Sequence, residues 1–152
     1  MGMVKLNVDA AFCNVNGNAG IGGIYRDHEG TCLGGFRHSV AVISSARHTE
    51  LLALILGLQL AISHGFVPLV VESDCQVLVQ VVPNQTLDYS DLGFLLYDLQ
   101  ELLQSVSSAQ LNFVRRQANS VAHKLAQEAK LAMFSSNFFS CTSSKYGGEH
   151  KS

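Results

Sequence analysis

The sequence predicts a mixed α/β domain in which one sheet carries helices on its faces. Three segments of strand character come first and are joined by short connections, which is typical of an antiparallel meander. Helical and strand patterns then alternate along the chain, which is typical of a sheet that continues with helices on its faces. The chain has 152 residues, of which 47% are apolar, so it is long enough to bury one sizeable core.

Alternating side chains and turns define the three early strands. Leu6 and Val8 alternate with Lys5 and Asn7, so we expect one face of the first strand to be buried. Gly30 suits the tight turn before the third strand, because glycine tolerates a positive φ. These strands are predicted over residues 5–12, 19–26 and 31–38.

The longest helix is predicted over residues 47–63 and is apolar almost all round, so we expect other elements to cover it. Ser44 or Ser45 can cap its beginning, and Gly65 suits its end. The continuously apolar strand that follows is typical of a strand buried on both faces. The later elements are a strand over 68–72, a short helix over 74–82, a helix over 90–103 that Ser90 can cap, a strand over 109–114 and a helix over 118–131.

The end of the chain is rich in Ser and Gly and shows no period. We therefore predict a domain over residues 1–132 and a mobile tail over 133–152. Phe138 and Phe139 are the two side chains through which this tail could pack.

Composition excludes several classes of protein. Lys and Arg together number 10 and Asp and Glu 12, so a generic basic nucleic-acid binder is excluded, and a polyanion must be held by a local patch or by metal ions. No secretion signal and no apolar run of membrane-spanning length occurs. We expect a monomeric, intracellular protein, cytoplasmic or nuclear, with no membrane partner. Widely spaced cysteines without a C-x-x-C pair predict free thiols rather than a zinc cluster: Cys13, Cys32, Cys75 and Cys141.

Three acidic residues are candidates for one metal site. Asp9 lies in the first strand, on the opposite face from Val8, and acidic side chains are rarely buried unless they are paired or bind metal. Glu50 lies in the most apolar helix, and Asp74 follows the buried strand at its carboxyl end, where ligands bind in open sheets. Oxygen ligands of this kind suit Mg²⁺ or Mn²⁺ rather than zinc.

Each acid also has a structural alternative. Asp74 could cap the helix that follows it, and Glu50 could be a first-turn carboxylate near Arg47. Asp9 is the hardest of the three to explain without a ligand, because it lies in the middle of a strand.

Five motifs occur in order on these elements. They are KLNVDAAF at 5–12, AGIGGIYRDHEG at 19–30, HTELLAL at 48–54, VESDC at 71–75 and FVRRQANSVAHKLA at 113–126. Together they resemble the ribonuclease H-like superfamily, its type 1 ribonuclease H domain and most closely the plant reverse-transcriptase-like subgroup. The resemblance covers residues 5–131 and implies a five-stranded mixed sheet with the first strand at its centre.

The resemblance also implies an activity, hydrolysis of the RNA strand of RNA–DNA hybrids with two Mg²⁺ ions, for which Mn²⁺ is a possible substitute. It implies that Asp9 bridges both ions and that Glu50 and Asp74 each help to ligate one. His123 stands where the wider family has a fourth acid, so it is a candidate metal ligand or proton relay, with a plain helix-face residue as the alternative.

Nucleic-acid contacts are predicted on two features. Glycines in the second strand could allow close backbone approach, or could let a helix cross the sheet closely. Basic residues before the last helix could hold phosphates, and a histidine near the first helix's start could lie at the mouth of the site. The candidates are Gly20, Gly22, Gly23, His48, Arg115 and Arg116.

Residues 66–101 hold six acids and no Lys or Arg, where many relatives insert a basic helix. Affinity for a hybrid is therefore expected to be low and sensitive to salt. Two alternatives stay open: a catalytically weak or inactive retroelement-derived domain that binds nucleic acid, and an exonuclease or integrase-like relative with the same fold.

Overall fold

The computed structural model describes residues 2–41, 45–82, 92–106, 109–132 and 135–141. The strands are β1 Val4–Phe12, β2 Ala19–Arg26, β3 Cys32–Val40, β4 Leu69–Ser73, β5 Gln110–Phe113 and β6 Ser135–Phe139. The helices are α1 Ala46–Ser63, α2 Gln76–Val81, α3 Gly93–Ser105 and α4 Ser120–Ala132, and a 3₁₀ turn spans Arg116–Asn119 just before α4.

The six strands form one mixed sheet in the order β5-β4-β1-β2-β3-β6. β1, β2 and β3 are antiparallel neighbours, whereas β4 is parallel to β1 and β5 is parallel to β4. The predicted mixed sheet is confirmed, but the predicted number of five strands was wrong. Residues 135–139, which were predicted to lie in a tail, pair antiparallel with β3 as β6.

Aromatic packing and two glycines hold β6 on the sheet. The ring of Phe138 stacks on His64 with 3.9 Å between centroids and lies 6.2 Å from the ring of Tyr25. A Cβ at Gly34 would lie 2.3 Å from the Phe138 ring, and one at Gly35 would lie 2.7 Å from the Phe139 ring. Small residues in β3 therefore make room for the two phenylalanines of β6.

A disulfide joins the start of β3 to the residues after β6. Cys32 and Cys141 are bonded, with their Cα atoms 5.7 Å apart, so the expectation of a free thiol was wrong for these two residues. Cys13 and Cys75 have free thiols. The remainder of the predicted tail, residues 142–152, lies outside the described part of the chain.

The main core lies between α1 and one face of the sheet. Leu6 and Val8 of β1 are fully buried there, and α1 crosses them at Gly57, where a Cβ would lie 2.9 Å from Leu6 and 3.1 Å from Val8. Because α3 packs against α1, both sides of α1 are covered, which explains its nearly continuous apolar sequence.

α4 covers the opposite face of the sheet. A Cβ at Gly20 would lie 2.2 Å from the carbonyl oxygen of Ala126, and one at Gly22 would lie 2.7 Å from its backbone nitrogen. Gly23 is buried against the ring of Phe36 instead. The helix-crossing alternative therefore explains Gly20 and Gly22, and the nucleic-acid contacts predicted for the three glycines stay a prediction.

The ends of α1 follow the predicted capping chemistry. The side chain of Ser45 accepts a hydrogen bond from the His48 backbone N–H at 3.1 Å, and Gly65 follows the helix with φ +70°. The other two predicted caps, Ser44 and Ser90, lie outside the described residues. Among the residues described, no helix is long and apolar enough to cross a membrane.

Candidate metal centre

Strand pairing places two of the acids side by side. β1 and β4 run parallel, and their register pairs Val8 with Ser73. Asp9, the next residue of β1, therefore lies beside Asp74, the residue that directly follows β4. Glu50 reaches the same place from α1, and one carboxylate oxygen from each of the three residues lies within 4.8 Å of the others.

The structural alternatives for Glu50 and Asp74 do not hold. α2 begins after Cys75, whose backbone N–H donates to Ser73 Oγ at 3.0 Å, and no side chain caps this helix. The first turn of α1 contains no acidic residue, because Glu50 lies farther along the helix. The cation that acts on Glu50 is Arg116 rather than Arg47.

Burial gives the cluster unusual electrostatics. Asp9 is 1% exposed. Burial, with help from Asp9 and Asp74, raises the pKa of Glu50 to about 9. Burial also raises the pKa of Asp9; Asp74 acts in the same direction, and the hydrogen bond with His123 acts against it. The carboxylates thus disfavour one another's charge, and a bound cation would relieve this.

The cluster also offers oxygen atoms that accept no hydrogen bond from the described part of the chain. Asp9 Oδ1, Glu50 Oε1 and Asp74 Oδ2 are buried and have no hydrogen-bond partner among the described residues. Buried polar atoms are normally satisfied, so three unsatisfied oxygens at one point need an explanation. Hard divalent cations such as Mg²⁺ or Mn²⁺ prefer carboxylate oxygens, and this donor set fits such an ion.

His123 lies beside this cluster rather than in it. Its Nδ1 is 2.8 Å from Asp9 Oδ2, and the group of converging ligand atoms contains Asp9, Glu50 and Asp74 without it. With Asp9 ionised, Nδ1–H donates to the carboxylate, which fixes the orientation of Asp9. The structure therefore places His123 in contact with a predicted ligand, and its own role as a metal ligand or proton relay stays a prediction.

The other predicted contacts surround the centre unequally. Arg116 Nε lies 3.6 Å from Asp74 Oδ2, whereas Arg115 is exposed one residue earlier. His48 is half-buried near the beginning of α1, two residues before Glu50. Arg116 thus lies in contact with an acid of the cluster.

Two asparagines that support the site were not predicted. Asn119 donates to the Val8 carbonyl at 2.7 Å, and Asn7 donates to Asn119 Oδ1 at 3.1 Å and to Glu72 Oε1 at 2.9 Å. These bonds fasten the 3₁₀ turn to β1 next to Asp9. The sequence contained one sign of this support: Asn7 is a polar residue in the middle of a strand, on the same face as Asp9.

Comparison with known proteins identifies the family. The sequence pattern of the family described as "Reverse transcriptase-like" matches residues 7–129. The chain belongs to this family. It is a ribonuclease H-like domain of the plant reverse-transcriptase-like type, as the five motifs predicted. A protein of Arabidopsis thaliana named "Putative ribonuclease H protein At1g65750" is 32% identical over 129 residues, which are 85% of this chain. The chain spans about a fifth (21%) of the length of that relative.

Solved structures agree with this membership. Ribonuclease H1 from the halophilic archaeon Halobacterium salinarum NRC-1 is 25% identical, with a TM-score of 0.76 over 84% of this chain and 97% of that one. LC11-RNase H1, isolated from compost by a metagenomic approach and solved in complex with an RNA/DNA hybrid, has a TM-score of 0.77 at 18% identity. The match covers 86% of this chain and 98% of that chain, and at this identity it shows the fold alone.

Proposed function

We propose that this ribonuclease H-like domain is a metal-dependent endonuclease that hydrolyses the RNA strand of RNA–DNA hybrids by a two-ion mechanism. The observation that carries the proposal is the convergence of Asp9, Glu50 and Asp74 within 4.8 Å. Each of these residues leaves one buried oxygen without a hydrogen-bond partner among the described residues. A bound divalent ion would use those oxygens and relieve the raised pKa values of Asp9 and Glu50.

The side chains of the site have two proposed roles, metal ligation and the positioning of the ligands. Asp9 is proposed as the ligand shared by two Mg²⁺ ions, with Glu50 and Asp74 each helping to hold one. When bound, such ions supply an activated water and stabilise the charge on the phosphate. His123 holds the orientation of Asp9 through the 2.8 Å contact, and Asn119 holds the turn beside it. Cleavage by attack of water is proposed to leave a 5′-phosphate and a 3′-hydroxyl.

The proposed substrate is an RNA–DNA hybrid. LC11-RNase H1, which shares the fold, has been solved with such a hybrid. In this chain His48, Arg115 and Arg116 are the side chains proposed to contact it. The absence of Lys and Arg from residues 66–101 leaves few positive charges to hold phosphates, so we expect weak binding that falls steeply with salt.

A second candidate is a non-catalytic domain that binds nucleic acid. Two observations favour it: a histidine stands in the position predicted for a fourth acid, and the guanidinium of Arg116 lies beside Asp74. Both reduce the negative charge available to metal ions. The two candidates differ in cleavage and in metal affinity, and both quantities can be measured.

The deciding experiment is a cleavage assay on a labelled hybrid with Mg²⁺ or Mn²⁺. Double-stranded RNA and the single strands serve as comparison substrates. We expect the RNA strand of the hybrid alone to be cut, and cutting to require the divalent ion. Binding of the hybrid without cleavage under either ion would favour the second candidate, and cutting of every substrate would favour a different nuclease.

A further inference from the structure

Arg116 brings a positive charge to the edge of the proposed metal centre. Its Nε lies 3.6 Å from Asp74 Oδ2, a distance too long for a hydrogen bond but short enough for electrostatic attraction. Asp74 Oδ2 is buried, and no described residue forms a hydrogen bond with it. The guanidinium therefore attracts this oxygen but does not form a hydrogen bond with it.

The two ends of Arg116 are held very differently. Its backbone begins the 3₁₀ turn that ends at Asn119, which is 1% exposed and bonded to the Val8 carbonyl. Its side chain, however, is 67% exposed, against 8% for the side chain of Asp74. The base of the side chain is thus fixed next to β1, while the guanidinium can leave for solvent without disturbing the fold.

Charge counting shows what this cation does to the site. With a metal ion bound, all three carboxylates would be ionised and carry three negative charges, and Arg116 reduces the total to two, which one divalent ion would neutralise. A divalent ion that binds Asp74 Oδ2 meets the guanidinium at close range, and like charges repel. His123 does not compete with Asp74 for the guanidinium. Its Nδ1 lies 3.5 Å from Arg116, but this nitrogen already forms the shorter 2.8 Å hydrogen bond with Asp9.

We propose that Arg116 is an internal counter-cation that competes with the divalent ion for Asp74. In the absence of nucleic acid it occupies the Asp74 side of the centre and lowers the affinity for metal. The inference rests on the proposed function in one respect: it takes Asp9, Glu50 and Asp74 as the metal ligands. It adds a residue that tunes how tightly these ligands hold an ion.

The test is a titration of the full chain with Mn²⁺, and separately with Mg²⁺, by calorimetry without nucleic acid. Arg116→Gln should bind the first ion about five- to tenfold more tightly than the wild type, the size expected for removing one partly exposed charge at this range. Arg116→Lys keeps a charge and should stay closer to the wild type. Circular dichroism of each variant checks that it is folded.

Arg115→Gln is the matched control. It removes the same charge one residue earlier, at an exposed side chain outside the Arg116–Asp74 pair. We expect its metal affinity to equal that of the wild type. A second check combines Arg116→Gln with Asp74→Asn, in which the gain from losing Arg116 should disappear because the contested oxygen is gone.

The outcomes separate this inference from the proposed function. Tighter binding of the divalent ion in Arg116→Gln, but not in Arg115→Gln, supports competition between Arg116 and the ion for Asp74. Equal affinities in the wild type and Arg116→Gln, or equal gains in Arg115→Gln and Arg116→Gln, would overturn it and leave the metal site standing. Failure of every variant to bind either ion, with Asp9→Asn indistinguishable from the wild type, would remove the proposed function itself.

Discussion

The two faces of β1 are equally buried but have neighbours of different chemistry. Leu6 and Val8 are fully buried against α1, and Asn7 and Asp9 on the other face are 2% and 1% exposed. The first pair meets apolar side chains, whereas the second pair meets amides, carboxylates and an imidazole. One strand with a period of two therefore places the core and the chemistry at alternate positions.

The difference shows where the fold accepts an energetic cost. Apolar burial on the α1 face stabilises the fold without any need for direction. A buried polar group destabilises it unless it is partnered. On the α4 face the side-chain amides of Asn7 and Asn119 donate hydrogen bonds, whereas Asn7 Oδ1 and Asp9 Oδ1 have no hydrogen-bond partner among the described residues. Substitutions on the α4 face should therefore reduce activity, whereas substitutions on the α1 face should reduce stability.

The largest expected effect is the loss of activity in Asp9→Asn. Removing the proposed shared ligand should reduce hybrid cleavage by about a thousandfold or more, since metal ions contribute several kcal/mol to such reactions. The melting temperature should not fall, because the change removes a buried charge. Asp98→Asn, at an exposed position on α3, is the control and should keep wild-type activity. Equal cleavage rates in both variants would contradict the role given to Asp9.

The opposite face should respond through stability. Leu6→Ala should lower the free energy of unfolding by about 2–4 kcal/mol, the cost of a cavity in a packed core. Urea unfolding gives this value, and Leu131→Ala, at a side chain that is 77% exposed, should change it by less than about 0.5 kcal/mol. Similar losses in both variants would mean that Leu6 is not part of a tightly packed core.

Glu50 belongs to the metal centre, yet its ionisation should affect the stability of the fold. Its pKa is about 9 in the folded chain against an ordinary value of 4.5, so between these limits the unfolded state gives up a proton that the folded state keeps. The stability of the metal-free chain should therefore fall as pH rises from about 5 to 9. Glu50→Gln should flatten this fall and raise the melting temperature at pH 8 by a few degrees, on the order of 2–4 °C per kcal/mol.

Melting curves in a chelator across this pH range test the Glu50 prediction. Glu101→Gln, at an exposed position on α3, is the control and should leave the pH dependence unchanged. Parallel curves for the wild type and Glu50→Gln would show that Glu50 ionises normally in the folded chain.

The smallest expected effect concerns the attachment of α4. Arg37 of β3 and Glu128 of α4 form an ion pair at 2.6 Å, with side chains 27% and 28% exposed. Glu128→Gln should cost about 0.5–1 kcal/mol, the usual range for a partly exposed pair, and the cost should shrink in 1 M salt. A loss of several kcal/mol, unchanged by salt, would mean that polar contacts hold α4 more firmly than its exposure suggests.

Much of this arrangement follows from local sequence patterns. Period two in residues 5–12 predicts both the buried face of β1 and the unusual burial of Asp9 behind it. The apolar helix, the Ser45 cap and Gly65 predict α1, which carries Glu50. These features depend on neighbours within a few positions, and the structure contains them with boundaries that differ by one or two residues.

What sequence reasoning missed depends on contacts between distant positions. β6 was missed because residues 135–139 have no period, and their place is set by Phe138, Phe139 and the small residues of β3. Arg116 meets Asp74 through a turn fastened by Asn119 to β1, a contact that no spacing along the chain reveals. Gly20 and Gly22 of β2 were ambiguous for the same reason, because only the path of α4 shows what packs against them.

The position of β6 at the outer edge of the sheet has a practical consequence for recombinant work. A chain shortened to end at Ala132 would leave the outer hydrogen-bonding edge of β3 bare and remove Phe138 from beside Tyr25 and His64. Bare strand edges beside apolar surface recruit other molecules into aggregates. Fragments meant to stay dispersed in solution should therefore extend past Cys141.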